Sequence, residues 1–209
     1  MKTDIIPMDL VGKRLDVTAP ALDDADGMIW RNYAGLQLKG GRLFLDAKGT
    51  GPGDARLFLV ATADDAYEVQ VEVTVPAGGS GGLILFYNET AFAGLTSDGK
   101  EFTLYHDAAR VAREPNPFGG HFFLKIINRL NRCVFLAGAD GKTWVGLLSD
   151  VDVSGLQHKN FTGFLTLRPG LMAAGGGKVR FDRFVYKNIS NQFQTMKPTI
   201  QTKRINSKL

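Results

Sequence analysis

The run YEVQVEVTV constrains this chain more than any other stretch. Tyr67, Val69, Val71, Val73 and Val75 alternate with Glu68, Gln70, Glu72 and Thr74. That period of two gives a β-strand one apolar face and one wet face, whereas a helix would scatter the valines around its axis. After PAGGSG comes GLILFYN, a continuous apolar run short enough for a strand inside a sandwich. AFAGL, EFTLYH, HFFLKII, RCVFLAG, TWVGLL, GFLTL and VRFDRFVY follow at the short spacing of an antiparallel β protein. Upstream, GLQLKGGRLFLDAKG and ARLFLVAT read as further strands, LDDADG as an acidic loop, and the stretch through Val17 as an edge strand.

The connections have mechanisms of their own. Asp98-Gly99 in SDGKE and Asp140-Gly141 in ADGKT each place Gly where a hairpin turn requires positive φ. Trp144, after the second turn, is expected to open the return strand and cap the sandwich edge, with stacking on a sugar as the competing reading. GGSGG (Gly78 to Gly82) and AAGGG (Ala173 to Gly177) read as linkers between strands; neither has the Gly-Lys-Ser/Thr ending of a phosphate loop. HDAARVARE has helix-favouring residues but is brief, uncapped and stopped by Pro115, so it is assigned a turn at most. Ten or more strands exceed what one open sheet holds. The expectation is an all-β, jelly-roll β-sandwich of two antiparallel sheets over residues 1–190.

Charge and cysteine usage narrow the partners. The net charge of +4 comes entirely from residues 191–209, where Lys197, Lys203, Arg204 and Lys208 meet no acidic residue. A net-neutral body with a basic tail reads as a solvated, flexible tail and not as a nucleic-acid binder. Cys133 is the single cysteine, which excludes an internal disulfide, and its apolar surroundings in RCVFLAG predict a buried, inert thiol. MKTDIIPMDL lacks the blocks of a signal peptide, and no apolar segment approaches the roughly 18 residues of a membrane span. The compartment stays open: cytoplasmic, or periplasmic or extracellular if a leader or upstream domain has been removed.

Three runs taken in order, GGLILFYNETAFAGL, VFLAGADGKTWVGL and NFTGFLTLRPGLMAAGGGKVRFDRFVYKN, resemble the C-terminal concanavalin A-like β-sandwich domain of glycoside hydrolase family 43 β-xylosidases. The similarity spans approximately Trp30 to Asn188. It implies a domain without the catalytic carboxylates, which in that family sit on a five-bladed propeller preceding the sandwich. It also implies that Phe161, in KNFTGF, matches an aromatic that walls the substrate pocket from a sandwich loop. The resemblance leaves three roles open: a non-catalytic accessory or carbohydrate-binding domain, an enzyme on the same fold, or a docking domain for a propeller or another copy of itself.

A search for chemistry favours the first role. Glycoside hydrolysis needs two carboxyl groups about 5–9 Å apart, and only Glu68 and Glu72 have a suitable spacing in a clear strand, where a solvated face is the ordinary reading. A polysaccharide lyase would need His and Tyr converging on an acidic sugar. Tyr105 and His106 are strand neighbours pointing to opposite faces, while His121 and His158 stand apart. No catalytic residue is assigned. Sugar platforms need an exposed ring beside polar groups, so Phe161, Tyr87, Asn88, Tyr105 and Phe118 are the candidates for a carbohydrate or docking surface. Asp23, Asp24 and Asp26, with Asp182 from the far end of the chain, are hard-oxygen donors for a structural calcium; solvated turn residues are the alternative. The expected partners are an oligosaccharide or a glycosidase propeller, with no nucleic acid and no membrane.

Overall fold

The computed structural model describes residues 14–16, 28–31, 36–39, 42–60, 62, 64–156 and 167–190. Their strands, in chain order, are β1 (Arg14–Asp16), β2 (Met28–Arg31), β3 (Leu36–Lys39), β4 (Arg42–Asp46), β5 (Arg56–Val60), β6 (Ala66–Thr74), β7 (Gly79–Asn88) and β8 (Ala91–Ser97). Then come β9 (Glu101–His106), β10 (Ala109–Pro115), β11 (His121–Arg129), β12 (Arg132–Gly138), β13 (Val145–Asp152), β14 (Arg168–Gly175) and β15 (Lys178–Asn188). One sheet runs β13-β12-β11-β6-β15-β4-β3, with β1 also paired to β15; the other runs β10-β9-β8-β7-β14-β5-β2. Every pairing is antiparallel. The two sheets stack as a β-sandwich.

Alternation decides which face each strand buries. On β6, Tyr67, Val69, Val71 and Val73 meet Leu83 and Leu85 of β7, Leu124 of β11, Leu171 of β14 and Phe181 of β15 in the core between the sheets. Glu68, Gln70, Glu72 and Thr74 turn outward. The run GLILFYN is continuous for a different reason. Leu83, Leu85 and Tyr87 face the core, while Ile84 and Phe86 join Leu57, Leu59, Phe92 and Met172 in a second buried cluster on the opposite face of the same sheet. A strand buried on both faces has no polar alternate to show.

Several expectations change in detail. GGSGG is not a linker: Gly79 to Gly82 lie inside β7. A Cβ on Gly81 would fall 2.7 Å from Val179 across the core, and one on Gly82 would fall 2.4 Å from the Leu95 carbonyl. Likewise Ala173 to Gly175 end β14, and only Gly176 and Gly177 connect it to β15. That connection packs on two earlier crossings between the sheets, through Gly176 N–H to Gly78 O (2.9 Å), Gly175 N–H to Gly49 O (2.9 Å) and Ala47 N–H to Gly177 O (2.8 Å). HDAARVARE is more than a turn. Asp107 and Ala108 turn the chain with φ of 50° and 57°, and the rest forms the edge strand β10, whose residues are nearly all exposed. Alanine, glutamate and proline are depleted in strands, so neither propensity nor alternation marked it.

The Asp-Gly turns are as expected. Asp98 Oδ1 accepts the amides of Lys100 and Glu101, and Asp140 Oδ1 those of Lys142 and Thr143. The Thr143 and Lys142 amides hold the Asp140 carboxyl below the usual range. Trp144 belongs to this loop, since β13 starts at Val145. β1 pairs with the far half of β15, and β2, unanticipated, flanks β5. GFLTL lies outside the described residues except for Leu167, as does the whole basic tail.

At one end of the core, Asp64 Oδ2 accepts the Tyr186 hydroxyl (2.6 Å) and its Oδ1 accepts the Asn188 amide. Thr62 and Tyr186 share a hydroxyl contact, and Tyr67 stacks on Tyr186 with centroids 5.3 Å apart. Burial, then the bond to Asp64, push Tyr186 far above its ordinary range. Cys133, fully buried, donates to Asn128 Oδ1 at 3.4 Å; burial and the field of Asp152 push its thiol up to about 12.

Two measurements check this packing. A Cβ on Gly170 would sit 2.0 Å from the Phe58 carbonyl, whereas one on Gly155 meets nothing within 4 Å. Gly170→Ala is expected to cost about 2 kcal/mol or more in urea denaturation, and Gly155→Ala to stay within about 0.5 kcal/mol of the parent. Native protein at pH 8 is expected to react with a disulfide-exchange reagent roughly 10³-fold more slowly than urea-unfolded protein, following the thiolate fraction.

Candidate functional site

The aromatics expected at a sugar surface are mostly committed to packing. Tyr87 is 3% exposed and points into the core between the sheets, so its ring presents no face outward, and the expectation of a Tyr87 platform is corrected. The cause is strand parity: Leu83, Leu85 and Tyr87 share one face of β7. Asn88, half-buried beside it, uses Oδ1 to accept the Thr90 amide (2.9 Å) and hydroxyl (3.1 Å), which shapes the β7–β8 turn. Tyr105, half-buried, leans on Phe92 at 6.0 Å on the outer side of the second sheet. Phe118, half-buried in the β10–β11 loop, meets the edge of Phe102 at 6.1 Å. His106 contacts the Asp152 carbonyl through Nε2 at 2.8 Å, away from Tyr105's packing. Phe161, His158, Asp23, Asp24 and Asp26 lie outside the described residues.

Register assembles something that linear spacing did not. In the outer face of the first sheet, Glu72 of β6 stands opposite Asp182 of β15 on one side and Phe123 of β11 on the other. Cross-strand neighbours have Cβ atoms about 4.5–5.5 Å apart, so two carboxylates meet side by side. β15 is irregular between Asp182 and Val185, where Arg183 takes φ 51°, and Arg183 thereby reaches the same face. Basic side chains meet all four oxygens. Glu72 Oε1 meets His121 Nε2 (2.7 Å) and Oε2 meets Arg183 Nε (3.3 Å); Asp182 Oδ1 meets Arg42 Nε (3.3 Å) and Oδ2 meets Arg180 Nε (2.8 Å). Next to this group, Lys125 Nζ lies 4.5 Å from the centroid of the half-buried Trp144 ring.

The chemistry of this cluster is that of held cations. A general acid must carry a proton on one carboxyl oxygen, and here each oxygen is already engaged by a basic side chain. The carboxylates therefore act as anchors that fix the guanidinium groups. Tyr67 and Tyr186, both pushed up first of all by burial, and Cys133 belong to the core described above. Nor does Asp182 suit a calcium site, because Arg42 and Arg180 neutralise it; among the described residues no group of three or more His, Cys, Asp or Glu side chains could hold a metal ion. No helix among them is long and apolar enough to cross a membrane. The motif RFDRF and the alternation of β6 held half of the signal for this cluster each, but only the pairing of β6 with β15 joins them.

No protein-family profile and no curated protein sequence matches the chain. Solved structures do match. A GH43 protein variant from Bacillus licheniformis superposes with a TM-score of 0.69 at 14% identity over 88% of this chain. A xylan β-1,4-xylosidase from Bacillus halodurans gives 0.67 at 15% identity over 87%. In both cases this chain spans only 40% of the other's length. A functionally unknown protein from Saccharomyces cerevisiae gives 0.54 at 18% identity, covering 87% of this chain and 98% of that one. The sandwich described above is thus the fold that these GH43 structures carry in part of a much longer chain, and the resemblance to their C-terminal β-sandwich holds at the level of fold.

Proposed function

We propose that this chain is a non-catalytic accessory sandwich of a carbohydrate-active system, binding glycan or supporting a glycosidase without itself cleaving the bond. The observation that carries the reading is the mismatch in coverage: nearly all of this chain matches less than half of each GH43 structure. The carboxylate geometry supports it, since the pair brought together across β6 and β15 has every oxygen engaged by a basic side chain. The named substrate of the Bacillus halodurans relative makes xylan-type oligosaccharides the first ligands to try.

Two assays decide between the roles. Calorimetric titration with xylo-oligosaccharides and arabinan fragments is expected to give heat of binding in the micromolar to millimolar range. Silence for every glycan would remove the binding role. Prolonged incubation with the same glycans is expected to release no new reducing ends, and a product ladder would make the chain an enzyme.

A further inference from the structure

Residues 1–190 carry no net charge, yet the outer face of the first sheet is strongly uneven. Across β3, β4, β15, β6 and β11 its lysines and arginines outnumber the four carboxylates Asp46, Glu68, Glu72 and Asp182, of which Asp46 pairs with Lys178. The distribution in depth matters as much as the count. The side chains of Glu72 and Asp182 are 13% and 14% exposed, whereas Arg42 is 57% and Arg183 66% exposed. The anions are sunk beneath the cations that cover them. Arg42 and Arg183 both turn Nε toward the buried carboxylates, and among the described residues neither forms an ion pair with a second acidic side chain. Each guanidinium is thus held by its Nε while more than half of the side chain stays exposed. Such a fork matches a carboxylate in the bidentate geometry that lysine cannot offer, and pre-fixing it lowers the ordering cost of binding.

We infer that this face binds an oligosaccharide bearing an isolated uronic acid, whose carboxylate is received by the outer edges of Arg42 and Arg183 above the Glu72–Asp182 pair. The inference rests on the accessory, glycan-binding reading and adds the ligand's charge to it. The four carboxylates interleaved with the cations tell against a polyphosphate, which presents negative charge at every step along its length and needs an unbroken basic track. A mostly neutral chain with a single acid meets one fork and no repulsion. Beside the fork the exposed His121 ring, packed edge-on to the buried Phe123 at 5.9 Å, offers a flat surface for the sugar ring.

The test uses the intact chain and a matched pair of ligands: xylotetraose substituted with one glucuronic acid, and the same compound with its carboxyl reduced to the alcohol. In roughly 50 mM salt the acid is expected to bind at least ~10-fold tighter than its reduced counterpart, as one charge-assisted fork predicts. That advantage should shrink as salt rises. Arg42→Gln with Arg183→Gln should bring the acid down to the affinity of the reduced ligand, with melting temperature measured alongside; the ligand pair itself needs no variant and stands if the double variant folds poorly. Equal affinity for acid and alcohol would overturn the inference and leave glycan binding intact. Binding of neither would overturn the inference and, with silence for the neutral glycans as well, the glycan-binding role. Tighter binding of a single-stranded oligonucleotide than of the acidic glycan would overturn it in favour of a general polyanion surface.

Discussion

The sandwich depends on the insertion of its last described hairpin-like arch into both sheets at once. β14 lies between β5 and β7, and β15 lies between β4 and β6. Neither sheet is continuous until that arch arrives, because β5 and β7 do not pair with each other, nor do β4 and β6. The contact is close enough that side chains are excluded from it. A Cβ on Gly175 would come within 2.5 Å of the Gly78 carbonyl, one on Gly79 within 2.7 Å of the Gly176 carbonyl, and the two crossings are tied by a direct hydrogen bond. Pairings of such long sequence separation must be closed against chain entropy before they return any stability, so this fold is expected to form late and cooperatively.

The same insertion explains the surface cluster. Because β15 sits directly against β6, the outward residues of VRFDRFVY and YEVQVEVTV are forced into one face, and two carboxylates become neighbours. Left bare, like charges opposite each other across a ladder repel. Three arginines and a histidine resolve that conflict, and in doing so they are held in fixed positions at the surface. A packing necessity inside the sheet thus becomes an ordered array of hydrogen-bond donors outside it. Around the middle of the second sheet Leu57, Leu59, Ile84, Phe86 and Met172 instead form a second apolar cluster.

Much of this was legible in the residues. Period-two alternation gave β6 its faces, the unbroken GLILFYN run marked a strand inside the sandwich, and the two Asp-Gly pairs marked turns whose side chains do cap the following amides. What escaped was whatever depends on partners far along the chain. The direction of Tyr87 follows from parity within β7, but which parity faces the other sheet is set by β6 and β14. The glycines of GGSGG looked like a linker because a strand interior normally wants side chains; they are there because Val179 and the Leu95 backbone fill that space instead. Nothing along the sequence aligns Glu72 with Asp182, since register is a property of the pairing.

β10 closes one sheet with an exposed row that includes Arg110, Arg113, Glu114 and Pro115. Its register shifts between Arg110 and Ala112, and its final residue cannot donate to a further ladder. An edge built this way is a poor template for another strand. It therefore guards the sandwich against growth into fibrils through its own backbone, and any companion that recruits an extra strand would have to do so elsewhere than along this margin.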